Sequence, residues 1–140
     1  LLEMSAGALM SADAARQLNP LVLAYIGDTV FDLYVRTSLV LGGKGNAGAL
    51  HRMSVTLVNA RAQAALARRV KDRFSEDEKD IFMRGRNAKS ATVPKNMSVA
   101  DYRQATALEA VVGYLYLTGR TGKIEEILKE ALNAESPPQG

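Results

Sequence analysis

The chain contains no cysteine, no tryptophan and a single histidine in 140 residues. Disulfides and thiol nucleophiles are therefore excluded, and zinc sites built on Cys or on several His, like haem held by paired side chains, lack their ligands. Catalytic options are left to carboxylates, hydroxyls, basic groups and the lone His51. Long hydrophobic runs are missing as well: no stretch of roughly 18 residues is both apolar and free of charge, so a membrane span is not expected. The opening Leu1 to Ala15 has no basic n-region and carries Glu3 and Asp13, which does not fit a secretory signal, and the expected location is cytoplasmic. Glycines at Walker or Rossmann spacing, internal repeats, a heptad seam and low-complexity tracts are all absent.

What the sequence does have is enough apolar material for one core, 47% of the chain. Lys and Arg number 18 against 15 Asp and Glu, with a pI near 9.3, a weak push toward an anionic partner. Residues 1–17 read as a weakly patterned leader, 18–134 as the folded body and 135–140, with Pro137 and Pro138, as a flexible tail. Asn19-Pro20 supplies a cap and a first-turn proline for a helix through about Leu41, stopped by Gly42-Gly43. After a loop to Gly48, Leu50, Met53, Leu57, Ala60, Ala64, Ala67 and Val70 recur at helical spacing in one long segment to about Arg73. Ser75 and Glu78 form a capping-box pattern for a third helix through about Arg86. A loop to Ser98, a helix over about Val99 to Leu117 and a last amphipathic helix from Thr121 or Gly122 complete five helices without a strand. The predicted fold class is a compact all-α domain.

Two acids do not suit a plain core. Asp28 stands between large apolar residues in Leu23-Ala-Tyr-Ile-Gly-Asp-Thr-Val-Phe-Asp32, and Glu109 is the one formally charged residue between Ala105 and Leu117. An uncompensated carboxylate in such surroundings costs several kcal/mol or takes up a proton, so it calls for a partner. One reading pairs each acid with an Arg or a helix cap; the other brings both to one site, whose hard oxygens suit Mg²⁺ or Mn²⁺. Asp32, a turn after Asp28, extends the acidic surface. Gly27 and Gly113, inside helices, permit close approach of a neighbour. The run from Arg84 to Asn96 carries Arg84, Arg86, Lys89 and Lys95 and no acid, with Ser, Thr and Asn donors suited to phosphate and ribose. A solvated basic face is the plain alternative there, as it is for Arg61, Arg68, Arg69, Lys71 and Arg73. His51 and the tyrosines are read as surface or packing residues by default.

Tyr25-Ile-Gly-Asp28-Thr-Val-Phe and Thr106-Ala-Leu-Glu109-Ala-Val-Val-Gly113 resemble the two metal-binding helices of the ribonuclease III catalytic domain. Arg84-Gly-Arg-Asn-Ala-Lys-Ser90, Pro94-Lys-Asn96 and Tyr102-Arg103 resemble, more narrowly, the Mini-ribonuclease III family. The likeness spans about Leu18 to Leu132. It implies a homodimeric, metal-dependent endoribonuclease that cleaves double-stranded RNA and leaves 5′-phosphate and 3′-hydroxyl ends. Maturation of precursor 23S ribosomal RNA, with a ribosomal protein as a further partner, follows from the same resemblance.

By that resemblance Asp28 and Glu109 are the catalytic and metal-binding acids, with Mg²⁺ as cofactor and Mn²⁺ as its substitute. Arg84, Arg86, Asn87, Lys89, Ser90, Lys95, Asn96 and Arg103 are the RNA-binding candidates. Where the wider family has further acids, this chain has Ala24 and Thr106. Those two losses motivate the alternative of a non-catalytic RNA-binding or ribosome-assembly module. No double-stranded-RNA-binding domain follows the catalytic region in this sequence, so binding is expected from the catalytic dimer itself.

Overall fold

The computed structural model describes residues 7–43, 45–89 and 93–135. Within them the chain is helical: α1 (Ala12–Arg16), α2 (Pro20–Leu41), α3 (Ala47–Val58), α4 (Ala60–Val70), a 3₁₀ turn (Lys71–Arg73), α5 (Glu76–Asn87), α6 (Val99–Leu117) and α7 (Thr121–Glu135). No strand occurs among the described residues.

The helix starts are those that side-chain capping dictates. The Asn19 Oδ1 accepts the Leu21 N–H at 2.8 Å ahead of Pro20. The Ser75 hydroxyl accepts from the Glu78 N–H while the Glu78 carboxylate accepts from the Ser75 N–H, so the predicted capping box is complete. Ser98 opens α6 through its hydroxyl alone, which accepts from the Asp101 N–H at 3.3 Å.

Two features depart from the sequence-based expectation. The long segment after Gly48 is two helices, broken at Asn59, whose backbone is extended at φ −72° and ψ 159°. Its side-chain oxygen caps α4 through the Ala62 N–H at 2.8 Å, and its amide donates to the Val55 carbonyl of α3 at 2.9 Å. A short amide side chain that satisfies both helix ends competes with continuous helix, and hydrophobic periodicity alone does not reveal it. The second departure is in the expected leader, where Ser11 caps the short α1, Ala15 is fully buried, and the Leu9 and Met10 N–H groups donate to the Leu117 carbonyl at 2.9 and 3.0 Å.

Helix α6 is the hub, packed against α2, α4 and α5. Ala105, Ala107, Leu108, Ala110 to Leu115 are all buried, so it is apolar nearly all round, as a central helix must be. Two glycines set its distance from α2. A Cβ on Gly27 would fall on the Glu109 carbonyl oxygen, and one on Gly113 would fall on the Leu23 carbonyl oxygen. Backbone therefore lies against backbone at this crossing, closer than any side chain would allow.

Candidate active site

The tight crossing of α2 and α6 fixes where the two anomalous acids meet. Asp28 follows Gly27 on α2, Glu109 supplies the carbonyl that Gly27 touches, and their carboxyl groups lie within hydrogen-bond reach of each other. Asp28 is exposed and Glu109 half-buried, so the pair opens to solvent on one side. Burial of Glu109, then the hydrogen bond to Asp28 and that residue's charge, push the Glu109 carboxyl up to about 9. Loss of hydration and a like charge both oppose ionisation.

Gln63 joins the pair from α4. Its side chain is 3% exposed and hydrogen-bonds to Glu109, opposing the upward shift. The sequence reading passed over Gln63, although it is the polar residue beside Ala64 and seven before Val70, on the buried side of an amphipathic helix.

A buried acid elsewhere, on α5, shows what structural compensation looks like in this fold. Glu78, 1% exposed, is met by the Lys123 Nζ at 2.7 Å and by the Ser75 backbone. Burial opposes its ionisation, yet Lys123 and Ser75 hold its carboxyl below the usual range. Among the described residues no Lys or Arg bridges to Asp28 or Glu109. Two facing carboxylates without a cation, plus an amide, form a hard-oxygen donor set of the kind that suits Mg²⁺. No cluster of three or more His, Asp and Glu able to hold a metal exists among the described residues.

Ala24 and Thr106 lie one turn before Asp28 and Glu109. Ala24 is buried, and the Thr106 hydroxyl donates to the Tyr102 carbonyl at 2.9 Å. Asp32 is bound by Arg36 at 3.1 Å rather than turned to the pair. Tyr25, expected to pack, is 82% exposed on α2 near Asp28, whereas Tyr114 is fully buried.

The basic candidates separate into held and free groups. The Arg84 guanidinium donates to Asp80 at 3.2 Å and to the Arg16 carbonyl at 2.8 Å, tying α5 to α1. Arg86 donates to the Asn87 side chain at 3.4 Å at the end of α5. Arg68 and Arg73 are paired with Asp101 and Glu130. Asn87, Lys89, Lys95, Asn96 and Arg103 are exposed, with Asn96 at a positive φ of 66°. Ser90 lies outside the described residues. Lys89 and Arg103, fourteen residues apart in sequence, line one cavity of about 330 Å³ with Leu21, Val93, Tyr102 and Thr106. His51 is exposed on α3.

Comparison with known proteins adds to this geometry. Residues 21–120 match the family model described as the ribonuclease III domain. The chain is 46% identical over 121 residues to a Mini-ribonuclease 3 of Thermoanaerobacter sp. (strain X514), covering 86% of this chain and 85% of the relative. A Mini-ribonuclease 3 of Staphylococcus aureus is 46% identical over 117 residues, 82% of this chain and 87% of that one. A Clostridium tetani Mini-ribonuclease 3 is 44% identical over 119 residues, covering 84% and 79%. A Fusobacterium nucleatum protein of known crystal structure superposes with a TM-score of 0.78 at 30% identity, over 86% of this chain and 97% of that chain.

Proposed function

Because the chain belongs to the ribonuclease III family, within its Mini-ribonuclease 3 branch, we propose that Asp28 and Glu109 form the catalytic centre of a Mg²⁺-dependent cut in double-stranded RNA. The protein is an endoribonuclease. One observation carries the reading: the α2–α6 crossing brings two carboxyls together at the surface with no ion-pairing Lys or Arg among the described residues.

Asp28 and Glu109 hold the ion, with Gln63 fixing the Glu109 side chain from behind. When bound, Mg²⁺ supplies positive charge for the phosphate oxygens and favours ionisation of an attacking water. Glu109 gives up its proton as the site fills, since its pKa is raised by burial first and then by the facing Asp28, and a bound cation opposes both. The crossing keeps the two acids in register, and water attacking phosphorus as the bond to the 3′ oxygen breaks would leave 5′-phosphate and 3′-hydroxyl ends with no side-chain nucleophile. Lys89, Lys95 and Arg103, free of ion pairs among the described residues, hold phosphates of the duplex without reading sequence.

The substrate we infer is precursor 23S ribosomal RNA. A homodimer is favoured by the exposed apolar face of α2, where Val22, Tyr25, Leu33 and Val40 are 51%, 82%, 40% and 63% exposed. Such a dimer sets one centre against each RNA strand.

Cleavage of a duplex RNA with Mg²⁺, comparing wild type with Asp28→Asn and Glu109→Gln, tests the assignment. Each variant is expected to lose roughly 100-fold or more in rate while still binding duplex. A wild-type protein that binds duplex and leaves it intact supports the non-catalytic reading; variants with wild-type rates remove these acids from the mechanism.

A further inference from the structure

The cavity between the first turn of α2, the end of α5 and the first half of α6 is not accounted for by phosphate contacts. It encloses about 330 Å³, at the small end of the range for small-molecule sites. Its wall has three kinds of surface: apolar groups at Leu21 and Val93, a ring at Tyr102, and two cations at Lys89 and Arg103, with no acidic residue among its lining. Neither cation has an ion-pair partner among the described residues. A phosphodiester lying on a convex surface would use the cations alone. A concave apolar wall with an aromatic ring beside them suits a flat heterocycle joined to a phosphate.

We propose that this cavity seats one nucleoside monophosphate unit, with its base against Tyr102 and the apolar wall and its phosphate between Lys89 and Arg103. The inference rests on the RNA substrate assigned above. Thr106 lines the cavity and lies one helical turn before Glu109, so an occupant sits beside the acid pair, next to the bond being cut. Bases in an A-form duplex are stacked and paired, with no face free to meet a protein ring; the occupant is therefore an unpaired or everted nucleotide of the cleaved strand. The cavity thereby selects the cleavage position by accepting a nucleotide that leaves the stack at little cost.

The test uses the full chain with Mg²⁺ and three probes: a perfect RNA duplex, the same duplex with one unpaired nucleotide placed at successive positions, and free adenosine 5′-monophosphate. Wild type is expected to cut beside the unpaired nucleotide at least about fivefold faster than in the perfect duplex, the cut following the nucleotide as it is moved. Ala88→Phe, which fills the cavity from its wall, is expected to abolish that preference. If Ala88→Phe does not fold, Val93→Trp, at a partly exposed loop position, fills the same space.

Competition by free adenosine 5′-monophosphate, lost in the filled variant, identifies a site that also takes the free nucleotide. Preference without competition identifies a site that takes it only within a strand. Cleavage that ignores the unpaired nucleotide and is untouched by the free one, or preference that survives both filled variants, overturns the proposal. A wild-type protein that cuts no duplex at all overturns the substrate assignment instead.

Discussion

Replacing Gly27 with alanine sets two opposed effects against each other. In an exposed helix the change stabilises by about 1 kcal/mol, because alanine loses less backbone entropy than glycine. Here the added methyl would land on the Glu109 carbonyl oxygen, 2.7 Å from the carbonyl carbon and 2.8 Å from the Gly113 nitrogen. Comfortable contacts begin at roughly 3.5 Å for carbon and about 3.2 Å for oxygen, so α2 and α6 must part by at least about 1 Å, and by about 1.5 Å at the Glu109 oxygen. Overpacking a dense core costs about 1–3 kcal/mol, and the upper end applies because the obstacle is backbone rather than the end of a flexible side chain. The net expectation is a loss of about 2 kcal/mol and a melting temperature lower by roughly 6–10 °C.

Activity should fall further than stability. Moving the acids apart by about 1 Å at the reacting centre is worth roughly 100-fold in rate, measured where the variant is still folded. Urea unfolding and duplex cleavage on the same preparations provide both readings, with Gly122→Ala, whose Cβ would meet nothing within 4 Å, as the control. A Gly27→Ala protein as stable and as active as wild type would refute the claim that this contact sets the active-site geometry.

Glu109 gives a pH dependence of definite sign. The folded protein keeps its proton up to about 9 against an ordinary 4.5, so the native state binds more protons between those values and metal-free stability falls as pH rises through that window; denaturant unfolding of wild type against Glu109→Gln should show the slope flattened in the variant. Mg²⁺ binding should release a proton near neutral pH, seen as a buffer-dependent heat in calorimetry and absent in Glu109→Gln. Gln63→Leu removes the hydrogen bond that opposes the rise at Glu109, and the cleavage pH profile is expected to move to higher pH with the lost rate recovered there, whereas a purely structural role predicts equal loss at every pH. Lys123→Met leaves Glu78 buried without its cation; with Lys123 partly exposed, a loss of about 2 kcal/mol in urea unfolding is expected, and no loss would mean that the Ser75 capping box alone compensates the charge.

By itself the sequence determined the class of the fold and singled out Asp28 and Glu109 as two acids that do not suit a plain core. Caps at Asn19, Ser75 and Ser98 are local chemistry, because an oxygen two or three residues away from an orphan N–H needs no tertiary partner. Asp28 and Glu109 stood out because an isolated charge in an apolar helix is costly wherever the helix packs. Asn59 was harder: its two hydrogen bonds are local, but an asparagine between good helix formers breaks the helix only when the following segment turns to a different neighbour.

Tertiary structure decided everything that depends on which helix faces which. It placed Glu78 beside Lys123, 45 residues away, and left Glu109 facing another acid, a difference that no local pattern distinguishes. It turned Gln63 toward Glu109, set Arg84 to hold α1, and brought Lys89 and Arg103 to one cavity. The physical reason is that charge balance, burial and enclosure are properties of neighbours in space. At the crossing of α2 and α6 those neighbours are set by two glycines that let one backbone lie against another.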